Sequence, residues 1–384
     1  MSWHPHDPPR SVSTRLAPEL ACPRCRQTLD VAEQALVCAR HGGVGRFGAG
    51  GIFEFDRSDT YWGEVERDRM RRINAAAREH GWSEALARHL APERPELLRY
   101  VQHPTRADWR VLLPLDRERT VSVDVGAGWG ASSFALSPHV LRHYAVEKIA
   151  ERVEFISIRA HEDAVDNVVP VRADLHALPF APASIDVFAV NGVLEWAGLA
   201  DPQAGDRCPP RSPRVLQESF LRQLLELLRP GGWLYVGIEN RFGRMFWRGT
   251  PDHQGLRFTS LMPRQVARAY TRLRAARSPR TFEHERDYRA WTYSLPGYRG
   301  LFARCGFVEL QCYGVVPGYN VPTQIVPLEA PGAFAYLAKR SRSSRRILGG
   351  IRRCARLAAA RLGLERYVTS CYAFVVRRPG ETTT

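Results

Sequence analysis

The most constraining stretch of this chain is Val121 to Ala131, VSVDVGAGWGA. It predicts a buried strand over Val121–Val125, with Asp124 near its end, followed by a glycine turn. Gly126, Gly128 and Gly130 alternate through that turn. Glycine lacks a Cβ and tolerates positive φ, so the backbone can approach a ligand closely. A helix from about Trp129 to Leu136 then aims its first N–H groups over the turn. Strand, glycine turn and helix start together predict a bound small-molecule cofactor.

Downstream, strands and helices alternate. Strands are expected at HYAVE (ending on Glu147), Val168–Arg172, Ile185–Asn191 and Trp233–Glu239. A helix over Lys148–Ala160 follows the second strand. This alternation predicts a parallel sheet with helices on both faces. Ligands in such sheets lie over the carboxyl ends of the strands. Asp124, Glu147, Asp174, Asn191 and Glu239 all fall on that edge.

Gly126, Gly128 and Ala131 satisfy a dinucleotide fingerprint, with Glu147 as its ribose acid. The glycines alone therefore leave a nicotinamide and a methyl donor both open. S-adenosylmethionine has no pyrophosphate and needs a second polar anchor for its adenine amine. Asp174, in RADLHALPF, stands where that anchor belongs, and LPFAPASIDVFAVNGVLEW and LLRPGGWLYVGIEN follow in methyltransferase order.

This set resembles the class I S-adenosylmethionine-dependent methyltransferases from about Arg119 to Val316. The resemblance implies a doubly wound, seven-stranded Rossmann-like α/β sheet. It implies Asp124 near the methionine amino end, Gly126, Gly128 and Gly130 around methionine and ribose, and Glu147 on the ribose hydroxyls. Asp174 would take the adenine amine, Leu175 one face of the ring, and Asn191 would lie near the transferred methyl. Glu195 and Trp196 would shape that wall or simply start a helix.

Before this domain, Cys22 and Cys25 form a C-x-x-C, and Cys38 with His41 a C-x-x-H. Two tight knuckles with this ligand set suit tetrahedral zinc. A short hairpin is expected between them, over Leu29 to Val37. The segment resembles a Trm112-like zinc ribbon ending in a GIP-type strand, here Gly51, Ile52, Phe53. It is also similar, less closely, to the zinc finger of rRNA guanine-N1 methyltransferases. Residues 60–113 read as helical, with Val65, Met70, Ile73 and Ala77 at helical spacing, and form a candidate lid. The expected domains are a disordered stretch over 1–17, the zinc-ribbon-like module over 18–56 and the lid over 57–117. The methyltransferase domain then covers 118–379, with a basic insertion near 330–364, before a disordered tail at 380–384.

On the substrate side, Glu239, Asn240, Arg241 and His253 are the catalytic candidates. Loop residues at a ligand-bearing sheet edge are functional more often than structural. His253, whose side chain titrates near neutrality, is the expected general base. The motifs YWGE, RADWRVLLPL, NGVLEW, IENRFG, PDHQG and YNVP together resemble bacterial methyltransferases of surface-polysaccharide and secondary metabolism. That resemblance implies a glycan or small-molecule acceptor. A helix over Pro296–Cys305 leads to a sixth strand, Phe307–Val315, and the last strand, Ser370–Arg377, is expected antiparallel to it.

The net charge of +15 favours anionic partners, or else reflects an Arg- and Ala-rich composition. Residues 334–362 are rich in arginine and place Ile347, Ile351, Ala355, Ala358 and Leu362 on one face. Such a helix suits a membrane surface or RNA. An rRNA methyltransferase gripping RNA with the zinc ribbon and this segment is therefore an alternative function; a non-catalytic cofactor-binding interaction protein is another. No run approaches the roughly 18 apolar residues of a membrane-spanning helix, and the N-terminal residues lack a signal-peptide core. A cytoplasmic location is expected.

Overall fold

The computed structural model describes residues 17–199, 201, 210–276, 287–330, 332–340, 358–359 and 361–380. The expected disorder over 1–16 and 381–384 lies outside the described residues, as do 341–357 and 360 of the basic segment. The chain divides into two compact units. The first comprises residues up to Val190, Gln223–Leu234 and the C-terminal residues from Arg378. The second comprises Asn191–Arg222 and Tyr235–Arg377.

In the first unit, β5 (Val121–Val125) lies at the centre. It is flanked in parallel by β6 (Arg142–Glu147) and β8 (Ile185–Asn191), and β6 pairs in parallel with β7 (Val168–Arg172). Every residue of β5 is buried, as a parallel strand covered on both faces requires. The expected lid contains helices α1 (Arg67–His80), α2 (Trp82–His89) and α3 (Pro95–Gln102), and α4 (Ala131–Leu136) follows β5. α1 and α2 pack on the helix after β6, α5 (Ala150–Glu162), through Met70, Ile73, Leu86 and Phe155. The Asn74 amide donates to the Glu151 carbonyl at 2.8 Å, and Arg67 pairs with the Glu151 carboxylate at 2.6 Å. This segment is thus built into the layer that covers the sheet.

The N-terminal module forms four short strands: β1 (Asp30–Ala32), β2 (Ala35–Cys38), β3 (Gly42–Phe47) and β4 (Phe53–Glu54). The first three form an antiparallel meander that includes the expected hairpin. β4 then pairs in parallel with β7, Phe53 opposite Val171 and Glu54 opposite Arg172. Glu19 receives hydrogen bonds from Arg142 at 2.7 Å and from the Tyr144 hydroxyl at 2.7 Å. The Arg26 guanidinium donates to the Leu178 carbonyl and to Gln223. The module therefore continues the sheet beyond β7.

In the second unit, the end of β9 (Leu228–Glu239) leads to the candidate catalytic loops. β10 (Val308–Val316) pairs antiparallel with β11 (Gln324–Pro327) and with β12 (Cys371–Arg377). The antiparallel last strand agrees with the sequence expectation. The expected count of seven strands does not hold: the described residues contain twelve. The additions are β1–β4 and β11. β9 also begins at Leu228, earlier than the expected Trp233. Among the described residues, no helix is long and apolar enough to cross a membrane.

Candidate active site

At the carboxyl end of β5 the turn is held by glycine geometry. Gly126, Gly128 and Gly130 all have positive φ, at 72°, 58° and 74°. Gly126 and Ala127 donate their N–H groups to the Val146 carbonyl, which ties the turn to the end of β6. A Cβ at Gly130 would lie 2.9 Å from the Phe134 ring, which would have to shift to admit it. A Cβ at Gly128 would meet nothing closer than 4.0 Å, leaving that face of the turn open.

The carboxylates around this turn are organised by the backbone. Glu147 accepts from the Gly128 N–H at 2.9 Å and from the N–H groups of Lys148 and Ile149 at 2.8 and 3.0 Å. It therefore braces the turn and the start of α5 together. Asp124 is buried and accepts from the Ser133 hydroxyl at 2.9 Å. Burial pushes its carboxyl up to about 6, against the opposing effects of Ser133 and of the Arg106 charge. Sequence reasoning did not single out Arg106, which the structure buries to 3 % exposure. Asp174 accepts from Lys148 Nζ at 2.6 Å and from the His176 N–H at 2.8 Å. Burial opposes ionisation there, but the Lys148 ammonium holds the Asp174 carboxyl below its usual value. The Leu175 carbonyl accepts from the Gln223 amide at 2.8 Å.

In the second unit, chain segments distant in sequence converge on one buried cluster. Past β8, Gly192 has a φ of +72° and donates to the Gly237 carbonyl at 2.7 Å. That turn delivers Glu195, which is fully buried. Glu239 closes β9. His253 sits in a small loop built by Asp252, whose carboxylate accepts from the N–H groups of Gln254 and Leu256 and from the Thr259 hydroxyl. His253 Nε2 lies 3.2 Å from Glu195 Oε1 and 3.2 Å from Glu239 Oε1. The Tyr319 hydroxyl donates to Glu239 Oε1 at 2.7 Å, and the Trp196 ring stands edge-on to the imidazole at 5.0 Å between centroids. Both oxygens of Glu195 and Oε2 of Glu239 are buried without a hydrogen-bond partner.

The protonation of this cluster differs from the sequence expectation. Burial disfavours the imidazolium, but the charges of Glu239 and Glu195 outweigh it and raise His253 to about 10. Burial, with the Glu239 charge second, raises Glu195 to about 8. Burial also opposes ionisation of Glu239, whose carboxyl is nonetheless held below its usual value by His253 and by the Tyr319 hydroxyl. An imidazole so held carries its proton at neutral pH and is a poor resting base. Asn240 and Arg241 do not join the cluster. The Asn240 amide donates to the Tyr367 and Thr369 carbonyls at 2.8 and 2.9 Å and accepts from the Phe242 N–H at 3.0 Å. Arg241 donates to the Ser260 and Met262 carbonyls at 2.8 and 2.6 Å. Asn191 lies at the end of β8 with its side-chain oxygen buried and unpartnered. Tyr319 was visible in the sequence only as part of YNVP.

The two knuckles come together in the N-terminal module. Cys22 Sγ lies 3.6 Å from His41 Nδ1, Cys25 Sγ 3.6 Å from Cys38 Sγ, and Cys38 Sγ 3.7 Å from His41 Nδ1. Tetrahedral zinc with Zn–S bonds of about 2.3 Å places its sulfurs roughly 3.8 Å apart. The donor set and its spacing fit such an ion.

Residues 123–236 match the family model described as a methyltransferase domain. The matched span includes Asp124, the three glycines, Glu147, Asp174, Leu175 and Asn191. Glu239, His253 and the knuckles fall outside it. No curated protein matches the chain. Among solved structures, the chain is similar to Haemonchus contortus phosphoethanolamine N-methyltransferase 2, solved with phosphomonomethylethanolamine and S-adenosylhomocysteine. Identity there is 11%, coverage 71% of this chain and 52% of that one, and the TM-score 0.39. The chain thus spans about half the length of that relative. It is also similar to geranyl diphosphate C-methyltransferase from Streptomyces coelicolor, at 15% identity, 78% and 82% coverage and a TM-score of 0.38. A third is the YcgJ protein from Bacillus subtilis, at 14% identity, 73% and 100% coverage and a TM-score of 0.37.

Proposed function

We propose that the chain is an S-adenosylmethionine-dependent methyltransferase acting on a small-molecule or glycan acceptor. The observation that carries the first half is the coincidence of the matched methyltransferase domain with the Asp124–Gly130 turn and Glu147. A buried carboxylate and an open glycine face suit a cationic amino acid moiety joined to a ribose. In this reading Asp124 takes the methionine ammonium. Glu147, already locked by the turn it braces, takes the ribose hydroxyls. Asp174 accepts the adenine amine in exchange for Lys148, and Leu175 covers the ring. Asn191 stands near the transferred methyl.

The donor sulfonium is itself a strong electrophile, so transfer proceeds by direct in-line displacement. Holding acceptor, methyl and sulfur in line supplies much of the acceleration. Glu239 and His253 are the acceptor-side groups in this reading, while Asn240 and Arg241 hold the loops that carry them. The acceptor class rests on the resemblance of the NGVLEW, IENRFG and PDHQG motifs to methyltransferases of surface polysaccharides and secondary metabolites. The Cys22, Cys25, Cys38 and His41 cluster holds a structural zinc ion, which would fix the strands of the N-terminal module.

Transfer of labelled methyl from the donor to fractionated cell extract tests the proposal. Label is expected in small-molecule or lipid-linked glycan fractions. Label in RNA alone would replace the acceptor with RNA, gripped by the zinc module and basic segment. Donor binding without any turnover would leave an interaction protein. Failure to bind the donor at all would remove the function.

A further inference from the structure

We propose that Glu195, Glu239 and His253 form a binding site for one divalent cation of the kind that accepts mixed carboxylate and imidazole ligands, such as Mn2+ or Zn2+. One ligand atom from each of the three residues lies within 4.8 Å of the others. The two imidazole–carboxylate separations are both 3.2 Å. Neighbouring ligands at about 2.1–2.2 Å around an octahedral ion lie roughly 3.0 Å apart, and around tetrahedral zinc roughly 3.3 Å. The two imidazole–carboxylate separations match neighbouring positions of a metal's coordination sphere.

A second observation is independent of that spacing. Glu195 is fully buried, yet apart from the His253 ion pair at Oε1 its carboxylate has no partner, and Glu239 Oε2 has none either. Buried carboxylate oxygens are ordinarily paired or bound to metal. The fourth oxygen, Glu239 Oε1, receives the Tyr319 hydroxyl at 2.7 Å. A hydrogen bond of that kind orients a carboxylate ligand from outside the coordination shell. His253 remains 22% exposed at its side chain, so the cluster has an opening for the ion and for additional ligands. Binding would release the proton that His253 carries at neutral pH, and the two carboxylates and neutral imidazole that remain carry a charge that a divalent ion cancels. One imidazole among oxygen donors favours a transition-series ion over Ca2+. A bound ion would take an acceptor hydroxyl as a further ligand and make it a better nucleophile. That use of the ion rests on the function proposed above; its binding does not.

The full chain, titrated with Mn2+ without donor and followed by loss of the free-ion paramagnetic resonance signal, tests the site. Elemental analysis of the same sample counts any ion already present. We expect one metal equivalent that is lost in Glu195→Gln, and in His253→Gln. Thiolates disfavour Mn2+, and an ion at the knuckles would not respond to these substitutions. Tyr319→Phe keeps all three ligands and should weaken binding by about tenfold; it serves if the ligand variants fail to fold. No retained metal at millimolar Mn2+, or equal metal in the wild type and a folded variant, overturns the proposal. Donor calorimetry on the same samples separates this from failure of the methyltransferase reading, because donor binding requires none of the three ligands.

Discussion

The glycine turn of the first unit and the carboxylate–imidazole cluster of the second are both buried and both acidic, but they are built in opposite ways. At the turn, the carboxylates are satisfied by the protein itself. Glu147 accepts three backbone N–H groups, and Asp174 is paired with Lys148. In the cluster, one oxygen of each carboxylate faces His253, and the other, Oε2, has no hydrogen-bond partner. A prearranged, saturated site suits a ligand that replaces one weak partner at a time. An unsaturated one suits a compact charge that satisfies several oxygens together. Local chain geometry makes the first, and convergence of distant segments makes the second.

The comparison can be broken most sharply at Asp124. Asp124→Asn keeps the shape and the Ser133 contact but removes the charge opposite a cationic donor. Losing one charge of a buried pair costs about 2–5 kcal/mol, so donor affinity measured by calorimetry should fall by roughly 30-fold or more. An unchanged affinity would detach Asp124 from the donor. Metal retention at Glu195, Glu239 and His253 should be untouched by the same substitution, and a joint loss would mean that the two sites are not independent.

Gly130→Ala probes how much of the turn depends on conformation. Its φ of +74° and the 2.9 Å approach to Phe134 both oppose a methyl group. A residue forced into the left-handed region costs about 1–2 kcal/mol, and overpacking adds about 1–3 kcal/mol. A drop of several degrees in Tm is expected, together with weaker donor binding. A variant of unchanged stability would show that the turn is softer than its contacts suggest.

Disrupting the proposed zinc site at Cys22, Cys25, Cys38 and His41 should have a smaller and more local effect. Cys22→Ser is expected to lower bound zinc by one equivalent and to expose the amides of β1–β3 to hydrogen exchange. Protection in β5–β8 should persist. Full retention of zinc would remove the knuckle assignment.

The smallest expected effect is on pH dependence. Asp124 has a folded-state value of about 6, above the usual 3.8. A raised carboxyl contributes stability that is present below its unfolded value and is lost as pH rises through the folded one. The ligand-free protein should therefore gain stability between pH 6 and pH 4 from this group. A cationic donor needs the ionised form, so its affinity should decline by up to about tenfold per unit below pH 6. Calorimetry in buffers of different ionisation enthalpy should show proton release on binding near pH 6. Affinity independent of pH there would contradict the contact between Asp124 and the donor.

What was legible in the sequence follows from local rules. Strand-length apolar runs placed β5, β7 and β8 at their observed bounds. Alternating glycines marked a turn that needs positive φ, and Cys-x-x-Cys with Cys-x-x-His marked two knuckles. Asn240 and Arg241 show the limit of such reasoning. Polar residues at a strand end read as catalytic, but here they hold backbone carbonyls of neighbouring loops, which no spacing reveals. His253 was visible as a histidine with a neighbouring acid. That acid, Asp252, closes the loop, and the groups that set the charge of His253 are Glu195 and Glu239.

By itself, then, the sequence determined the alternation of strands and helices, the glycine turn with its acidic neighbours, and the paired knuckles. Each depends on residues within one or two turns of chain, where steric limits and ligand spacing act directly. Only the tertiary structure decided that β4 joins the sheet beside β7, that the helices of the expected lid pack on α5, and that Glu195, Glu239, His253 and Tyr319 meet. Those outcomes depend on burial and on pairing between segments separated by many residues. Their free energy comes from contacts that exist only once the chain has folded.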